Sequence, residues 1–309
     1  MRKLFAVFGN PILHSKSPIL FNSVFEKTHV DAFYTRIHAE SCQDVIQSIR
    51  KLNIIGANIT TPFKEEIIPL LDELSTDAEQ IGAVNTILND NGHIKGFNTD
   101  FVGVVKAIVE FGIDIFGKRC LVLGAGGASK ATVYGLVNAG AEVIIANRTL
   151  SKAQEISNHF GCNVISLDEI NDLNGVDVIV STLLPNVSLP NIHWDKNVKL
   201  FIDANYRKSI LSEEVQNAGI KVIRGDRWLI HQAIAAFNIY TGFEPQVELL
   251  NAAFNLKLDY HNAKIKAINI GNDQLLPSEN YDMLVVTNSI DQSQIKKVID
   301  EELHKAINS

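Results

Sequence analysis

Short apolar runs alternate along the chain with segments whose apolar residues recur every three or four positions. The runs Leu4–Phe8, Ala32–Ile37 and Ile54–Ile59 each have the length and composition of a buried strand. Between them, the spacing of apolar residues predicts helices from about Pro18 to Phe25 and over Cys42–Leu52. Because strands and helices alternate, the sequence predicts an α/β fold whose sheet is largely parallel.

The same alternation continues through the middle of the chain. A helix is predicted around Ile67–Leu70, a strand over Gly82–Ile87, and a hairpin turn at Asn91-Gly92 that leads back toward Gly96. Further strands are predicted at Arg119–Leu123, Glu142–Ala146, Val176–Ser181, Leu200–Asp203 and Lys221–Ile223. Helical patterns follow over Trp228–Tyr240 and Gln246–Leu256.

The last part of the chain carries a further apolar pattern. Lys264–Ile270 and Met283–Thr287 are predicted strands, and an apolar stripe runs along a terminal helix between Ile295 and Ile307. We expect this tail to pack as a small strand–strand–helix unit on the body of the protein or on a neighbouring subunit.

Composition narrows the class of protein. The 309 residues are enough for roughly two domains, and a net charge of −7 without a basic run argues against nucleic-acid binding. No apolar run reaches the ~20 residues of a membrane span. Cys42, Cys120 and Cys162 are odd in number and widely spaced, which is typical of reduced thiols in a cytoplasmic protein, and no His or Cys spacing indicates a metal site.

Two polar loops follow predicted strands in the first hundred residues. The loop from Asn10 to Pro18 places Ser15, Lys16 and Ser17 at a helix start, where free backbone N–H groups and hydroxyls suit a small carboxylate, and Ser17 is the predicted N-cap. The stretch Asn58–Lys64 ends a strand with amide, hydroxyl and ammonium groups. Both segments also fit a plainer interpretation, as capping turns with solvated lysines.

A glycine-rich turn follows the strand Arg119–Leu123. Gly124, Ala125, Gly126, Gly127 and Ala128 precede Ser129, which stands in the place of the third glycine of a dinucleotide-binding loop. The next strand ends at Asn147, Arg148 and Thr149, where an NAD-binding protein usually carries an acid. Because Arg148 and Lys152 supply positive charge instead, the sequence favours NADP over NAD.

These motifs together resemble shikimate dehydrogenase over about the first five-sixths of the chain. The motifs that carry the resemblance are Asn10-Pro11 with His14–Pro18, Asn58–Lys64, Gly82–Thr86, Gly96–Asp100, Gly124–Ala128 and Asn147–Thr149. The resemblance implies an oxidoreductase of aromatic amino-acid biosynthesis that reversibly reduces 3-dehydroshikimate to shikimate with NADPH. It also implies small-molecule ligands. We expect no nucleic-acid or membrane partner, and a monomer or homodimer.

The resemblance also assigns roles and domains. Ser15 and Ser17 would hold the substrate carboxylate, Thr60, Asn85, Asp100 and Gln232 its hydroxyls, and Lys64 with Asp100 would form the catalytic pair. The implied cofactor residues are Gly124, Ala125, Gly126, Gly127, Ala128, Asn147, Arg148, Thr149, Lys152, Tyr206 and Gly225. We expect a substrate-binding and catalytic α/β domain over 1–100 with about 229–256, a doubly wound Rossmann-type NADP domain over 101–228, and a ββα-like extension over 257–309.

The chain departs from the family pattern at three places in the predicted NADP-binding domain. Ser181–Pro185 replaces an Asn-Ala-Thr-Ser-like run, Arg207–Ser209 replaces a proline and threonine, and Trp228 replaces a methionine near the nicotinamide. The 53 residues from Lys257 onward have no recognised counterpart. Two alternatives therefore stay open: a paralogue that acts on quinate or an aminated shikimate, and a nucleotide-binding sensor that uses the tail to bind a partner. The presence of both Lys64 and Asp100 argues against the sensor, since binding alone needs no proton donor.

Overall fold

The chain forms two compact units. The computed structural model describes residues 2–170, 173–189, 192–256, 258–260, 262–270, 280–287 and 292–307. The first unit comprises Met1–Asn98 with Ala233–Ser309, and the second comprises Thr99–Gln232. None of the helices in the described ranges is long and apolar enough to cross a bilayer.

The first unit is a mixed sheet covered by helices. Its strands are β1 (Lys3–Gly9), β2 (Ala32–His38), β3 (Ile54–Ile59), β4 (Glu73–Leu74), β5 (Thr86–Asp90), β6 (His93–Phe97), β13 (Ile265–Asn269) and β14 (Met283–Thr287). Within the described residues these eight strands lie in the order β13-β14-β2-β1-β3-β5-β6-β4. The helices of this unit are α1 (Ser17–Lys27), α2 (Cys42–Lys51), α3 (Thr76–Ile81), α9 (Val247–Phe254) and α10 (Gln292–Ile307).

Parallel pairing at the centre of this sheet brings two loops together. β1 pairs in parallel with both β2 and β3, so that Phe8 lies opposite Ile59 and Gly9 opposite His38. The loops that follow β1 and β3 therefore leave the same edge of the sheet, where polar side chains are commonly gathered in α/β proteins. β5 pairs antiparallel with β3 and β6, as the predicted Asn91-Gly92 hairpin requires.

The tail completes the outer edge of the first unit's sheet. β14 pairs in parallel with β2, and β13 pairs in parallel with β14. Met283, Leu284, Val285 and Val286 are buried, and two of them join the apolar cluster that includes Ile37 and Ile49. At about 25 cal/mol per Å² of apolar area, burial of four such side chains is a large contribution, so the tail is part of the core of this unit.

The second unit is a doubly wound parallel sheet. Its strands are β7 (Arg119–Leu123), β8 (Glu142–Asn147), β9 (Asn163–Ser166), β10 (Val178–Ser181), β11 (Leu200–Asp203) and β12 (Val222–Ile223). Their order is β12-β11-β10-β7-β8-β9, with every pair parallel, which is the arrangement of a dinucleotide-binding Rossmann fold. The helices are α4 (Asp100–Glu110), α5 (Gly127–Asn138), α6 (Leu150–Phe160) and α7 (Ile210–Asn217), and α8 (Gly225–Thr241) continues past Gln232 into the first unit's residues.

Three local predictions were wrong, and one strand was missed. The predicted helix around Ile67–Leu70 is a run of turns that ends in a 3₁₀-helix over Ile68–Leu70, and the strand predicted from Gly82 begins only at Thr86. Ser17 is the first residue of α1, and the N-cap is Lys16. β9 was not predicted at all, because its four residues are only partly buried and lack a continuous apolar run.

Candidate active site

The loop between β1 and α1 holds two neighbouring serines. The Ser15 and Ser17 hydroxyl oxygens lie 3.3 Å apart, and the Ser17 N–H donates to Ser15 Oγ at 3.3 Å. Lys16 turns away from them and donates to the Phe254 carbonyl at 2.8 Å, with its ammonium 4.0 Å from the centre of the Phe254 ring. The two hydroxyls and the first turn of α1 therefore present hydrogen-bond donors at one place.

The turn after β3 lies directly beside the end of β1. The Thr60 N–H donates to the Phe8 carbonyl at 3.0 Å, and the Asn10 N–H donates to the Thr61 carbonyl at 3.1 Å. Gly9 permits this approach, since a Cβ there would lie 2.6 Å from Thr60 Cγ2. Thr60 is consequently held next to the loop that carries Ser15 and Ser17.

A buried hydrogen-bond network fixes Asn85 and the end of β3. The Tyr34 hydroxyl donates to Asn58 Oδ1 at 2.7 Å, and Asn58 Nδ2 donates to Thr86 Oγ1 and to the Asn85 carbonyl. Thr86 Oγ1 donates in turn to Asn85 Oδ1 at 2.9 Å, and the Lys64 carbonyl accepts from the Val84 N–H at 2.8 Å. The network orients the side chain of Asn85, and the Val84 bond holds the backbone of Lys64 beside the segment that leads into β5.

Burial also raises the pKa of Tyr34, the tyrosine that donates to Asn58 in this network. Tyr34 is fully buried and stacks on Phe21 with ring centres 4.3 Å apart. Burial raises the pKa of the Tyr34 phenol well above its ordinary value, and the hydrogen bond to Asn58 and the nearby Arg36 charge oppose this only in part. The phenol therefore stays protonated and serves as a hydrogen-bond donor to Asn58.

Two further predicted substrate residues, Asp100 and Gln232, belong to the second unit. Asp100 is buried at the first position of α4, and its N-cap Thr99 makes no side-chain capping bond. Gly103, one turn later, lies against α8, where a Cβ would be 2.6 Å from Trp228 Cδ1 and 3.1 Å from Gln232 Cβ. Because Asp100 and Gly103 lie on the same face of α4, Gln232 is next to the turn that carries Asp100.

The glycine-rich turn joins β7 to α5 as a dinucleotide loop requires. Gly124 has φ of +112°, a conformation that favours glycine, and Gly126 is the N-cap of α5. A Cβ at Gly126 would meet no atom within 4 Å, so the backbone above the helix N-terminus is open to a ligand. The turn thus has two features that suit a pyrophosphate, close backbone access and the N-terminus of a helix.

A hydroxyl pair that sequence reasoning missed holds this turn in place. The Ser129 and Thr182 hydroxyls lie 2.6 Å apart, Thr182 Oγ1 donates to the Leu123 carbonyl at 3.0 Å, and the Gly126 N–H donates to Ser129 Oγ at 3.3 Å. A Cβ at Gly124 would lie 2.3 Å from Thr182 Oγ1. Thr182 belongs to the segment that departs from the family pattern, and the departure itself was the available signal.

The end of β8 presents exposed basic side chains. Asn147 Nδ2 donates to the Thr149 carbonyl at 3.0 Å, which shapes the turn before α6, and Thr149 is the N-cap of that helix. Arg148 and Lys152 are exposed, and the Lys152 N–H donates to the Thr149 carbonyl at 3.2 Å. Arg148 and Lys152 therefore lie within about one helical turn of each other. They follow β8, which pairs with β7, the strand that leads into the glycine-rich turn.

Gly225, at the start of α8, packs on the backbone just before Tyr206, in the turn that follows β11. The Gly225 N–H donates to the Asn205 carbonyl at 3.1 Å, and a Cβ at Gly225 would lie 2.2 Å from the Ala204 carbonyl oxygen. Buried Asp203 organises this turn by accepting hydrogen bonds from the Asn205 backbone N–H and from the Asn205 side chain. Gly225 is therefore needed for close backbone packing next to Tyr206.

Comparison with known proteins supports this arrangement of motifs. Residues 7–87 match the model of the shikimate dehydrogenase substrate binding domain, and residues 105–202 match that of shikimate / quinate 5-dehydrogenase. Shikimate dehydrogenase (NADP(+)) of Pyrococcus abyssi is 38% identical over 255 residues, which are 80% of this chain and 96% of that protein. The chain belongs to the shikimate dehydrogenase family.

Two solved structures of family members align with this chain over nearly the whole of their own length. Shikimate dehydrogenase from Aquifex aeolicus superposes with a TM-score of 0.77 and 34% identity, covering 82% of this chain and 98% of that one. Shikimate 5-dehydrogenase from Thermus thermophilus, in complex with NADP(H) and shikimate, superposes with a TM-score of 0.73 and 30% identity, again covering 82% and 98%.

Trp228, where the shikimate dehydrogenase pattern has a methionine, is built into the second unit's core. Its side chain is 4% exposed, belongs to the apolar cluster beneath the Rossmann sheet, and packs on Gly103. An indole is much larger than a thioether, and the glycine on α4 provides the space that it needs. The replacement is thus accommodated by the structure of this shikimate dehydrogenase family member.

A charged group on the tail was not predicted either. Glu302 of α10 is 2% exposed, accepts hydrogen bonds from the Ile12 and Leu13 N–H groups, and contacts His38 Nδ1 at 2.6 Å. In the sequence, Glu302 stands between Glu301 and Leu303 in a charged amphipathic helix, so it has no local feature that marks it as buried. Only the packing of the tail on the first unit reveals it.

Proposed function

We propose that this protein is an NADP-dependent shikimate dehydrogenase that reversibly reduces 3-dehydroshikimate to shikimate in the biosynthesis of aromatic amino acids. The observation that supports the proposal is that backbone hydrogen bonds join the loop after β1 to the turn after β3, and that turn to the segment before β5, in a chain of this family. These three segments carry Ser15, Ser17, Thr60, Lys64 and Asn85. This set combines donors for a carboxylate, partners for ring hydroxyls and an ammonium group. A polyhydroxylated cyclic acid needs all three.

In this proposal the substrate is held by polar groups of known geometry. The hydroxyls of Ser15 and Ser17, 3.3 Å apart, donate to the two oxygens of the substrate carboxylate. Thr60, Asn85 and Gln232 hold the ring hydroxyls, and the hydrogen-bond network beneath Asn85 keeps its amide oriented. Fixed donors and acceptors reduce the entropy lost when the substrate binds.

Lys64 and Asp100 are assigned to the proton transfer. Reduction of a ring ketone adds a hydride to carbon and a proton to oxygen, so an ammonium beside the oxygen both stabilises developing negative charge and delivers the proton. We assign this role to Lys64, and to Asp100 the orientation of the ammonium and of a substrate hydroxyl. In the direction of oxidation the same groups take up the proton.

The residues of the second unit fit NADP. The open backbone at Gly126 and the N-terminus of α5 suit a pyrophosphate, and exposed Arg148 and Lys152 suit a 2′-phosphate. Gly124, Ala125, Gly127 and Ala128 complete the glycine-rich turn, Asn147 and Thr149 shape the adenosine side, and Tyr206 and Gly225 are assigned to the nicotinamide side. When bound, NADPH supplies the hydride.

We place this activity in the cytoplasm, in an enzyme that is a monomer or a homodimer. The three cysteines are free; Cys42 and Cys120 are buried, and burial raises the pKa of these thiols to about 11 and about 12. Such thiols are poor nucleophiles, which suits a structural role in a reducing compartment.

Steady-state kinetics with four substrate pairs test the proposal. Initial rates are measured with shikimate or quinate, each with NADP or NAD, at matched enzyme concentration. We expect the largest kcat/KM for shikimate with NADP. A larger kcat/KM for quinate would assign the protein to quinate dehydrogenation, and nucleotide binding without turnover of either acid would favour the sensor.

A further inference from the structure

The tail makes direct hydrogen bonds to the loop that carries Ser15 and Ser17. Glu302 of α10 accepts from the Ile12 N–H at 2.9 and 3.0 Å and from the Leu13 N–H at 2.9 Å. Ile12 and Leu13 are almost fully buried, so these two donors have little access to water. Two successive backbone N–H groups aimed at one carboxylate form an anion-binding site, which the tail itself fills.

The same loop is fastened to the tail at a second point. Arg36 of β2 donates from Nε and Nη2 to the Ser15 carbonyl at 2.8 and 2.6 Å, and from Nη1 to the carbonyl of Asp282, just before β14, at 3.0 Å. Between the two points, the Ser15 N–H donates to the Ile12 carbonyl at 2.9 Å. A continuous series of hydrogen bonds thus runs from Glu302 through Ile12 to Ser15 and back to the tail at Asp282.

The buried Glu302 carboxylate has a histidine partner as well as its two backbone donors. His38 Nδ1 lies 2.6 Å from Glu302 Oε1, and His38 Nε2 lies 2.8 Å from the exposed carboxylate of Glu40. Burial opposes ionisation of Glu302, but the bonds from His38, Leu13 and Ile12 outweigh it and keep the pKa of Glu302 below its ordinary value. The group that holds the loop is therefore an ionised carboxylate at neutral pH, and hydrogen bonds to charged groups are the stronger ones.

We propose that Glu302 is a positioning residue for substrate binding: by fixing the backbone at Ile12 and Leu13, the tail sets the positions of the Ser15 and Ser17 hydroxyls that hold the substrate carboxylate. This inference rests on the proposed function, because it concerns the same acid-binding loop. It gives residues 257–309 a role within the active site of their own chain, rather than in binding a partner.

Substitution of Glu302 separates positioning from a purely structural role. E302Q is nearly isosteric but neutral, and it retains one acceptor oxygen for two N–H donors. E301Q is the matched control, since Glu301 is exposed on the same helix, at i,i+4 from both Lys297 and Lys305. A contact to a carboxylate remote from the reacting carbon contributes equally to substrate and transition state, so its loss raises KM and leaves kcat unchanged.

We expect the shikimate KM of E302Q to rise about tenfold, which corresponds to a tenfold weaker binding of shikimate. The kcat and the NADP KM should stay within about twofold of wild type. Hydrogen exchange of the segment 10–18 should be faster in E302Q than in E301Q. A merely structural role would instead reduce the amount of active enzyme, which lowers kcat and leaves both KM values unchanged. If E302Q does not fold, E302D, which withdraws the carboxylate by one methylene, is expected to show the same rise.

Two results are decisive and distinguishable. An active wild-type enzyme whose shikimate KM is unchanged by E302Q or E302D, or rises equally with the NADP KM, would overturn the inference and leave the proposed function intact. A wild-type enzyme without shikimate turnover would overturn the proposed function directly, and the inference with it, before any variant is compared. E301Q must behave as wild type in both assays.

Discussion

Removal of the Thr182 hydroxyl should loosen the nucleotide loop by an amount that follows from its contacts. T182V replaces Oγ1 with a methyl group of similar size and deletes the 2.6 Å contact with Ser129 and the 3.0 Å bond to the Leu123 carbonyl. A hydrogen bond contributes roughly 0.5–1.5 kcal/mol net, so two give about 1–3 kcal/mol. The Leu123 carbonyl still accepts from the Thr182 backbone N–H at 2.9 Å in T182V, which favours the lower half of that range.

Urea unfolding and cofactor kinetics together measure this effect. We expect T182V to lower the free energy of unfolding by about 1–2 kcal/mol at an unchanged m value and to raise the NADP KM, since Gly124 and Gly126 lose their support. T182S keeps the hydroxyl and serves as the matched control. If T182V and T182S were equally stable and had equal NADP KM values, the hydroxyl pair would have no role in holding the loop.

Three further predictions concern charge. Lys64→Ala should lower kcat by roughly 10²–10⁴-fold and Asp100→Ala comparably, with the double variant little worse than either; losses that multiply in steady-state assays would refute a catalytic pair. Arg148→Ala should raise the KM for NADP and leave that for NAD nearly unchanged, and equal losses for both would contradict the assigned 2′-phosphate contact. Burial opposes protonation of His38, but Glu302 and Glu40 raise its pKa above 6.5 overall, so its contribution to stability is complete below that pH and lost as pH rises through the raised value. Glu302 has a pKa below 4.5, so its contribution to stability is present above that pH and lost as pH falls through the lowered value. The difference in unfolding free energy between wild type and E302Q should therefore be largest between about pH 4.5 and 6.5. A difference that does not change with pH in urea titrations would contradict the pairing of His38 with Glu302.

Much of the fold follows from local sequence because its signals are short-range. The strands before Asn10, Thr60 and Gly124 are apolar runs that end at turn residues, and each can be recognised without knowledge of its partners. The dinucleotide turn was located in the same way, since a tight turn with open backbone requires glycines in a fixed order. The candidate site residues were named through motifs of this kind, and their roles stay predictions.

Marginal elements were missed because their stability comes from tertiary contacts. The segment Ile67–Leu70 has the apolar spacing of an α-helix but forms only a 3₁₀-helix over Ile68–Leu70, while β9 lacks an apolar run and forms a strand by pairing with β8. Propensity is a weak determinant where packing and sheet pairing contribute more.

The sequence alone determined most of the strands and helices in their order, the glycine turn and the basic residues after β8, because each depends on neighbours within a few positions. Only the tertiary structure decided which distant groups meet. Glu302 is paired with Ile12 across 290 positions, and Thr182 with Ser129 across 53, in contacts that no local pattern encodes. A buried carboxylate and a buried hydroxyl each need a partner with defined geometry, and that partner is supplied by the packing of the tail on the first sheet and of β10 beside β7.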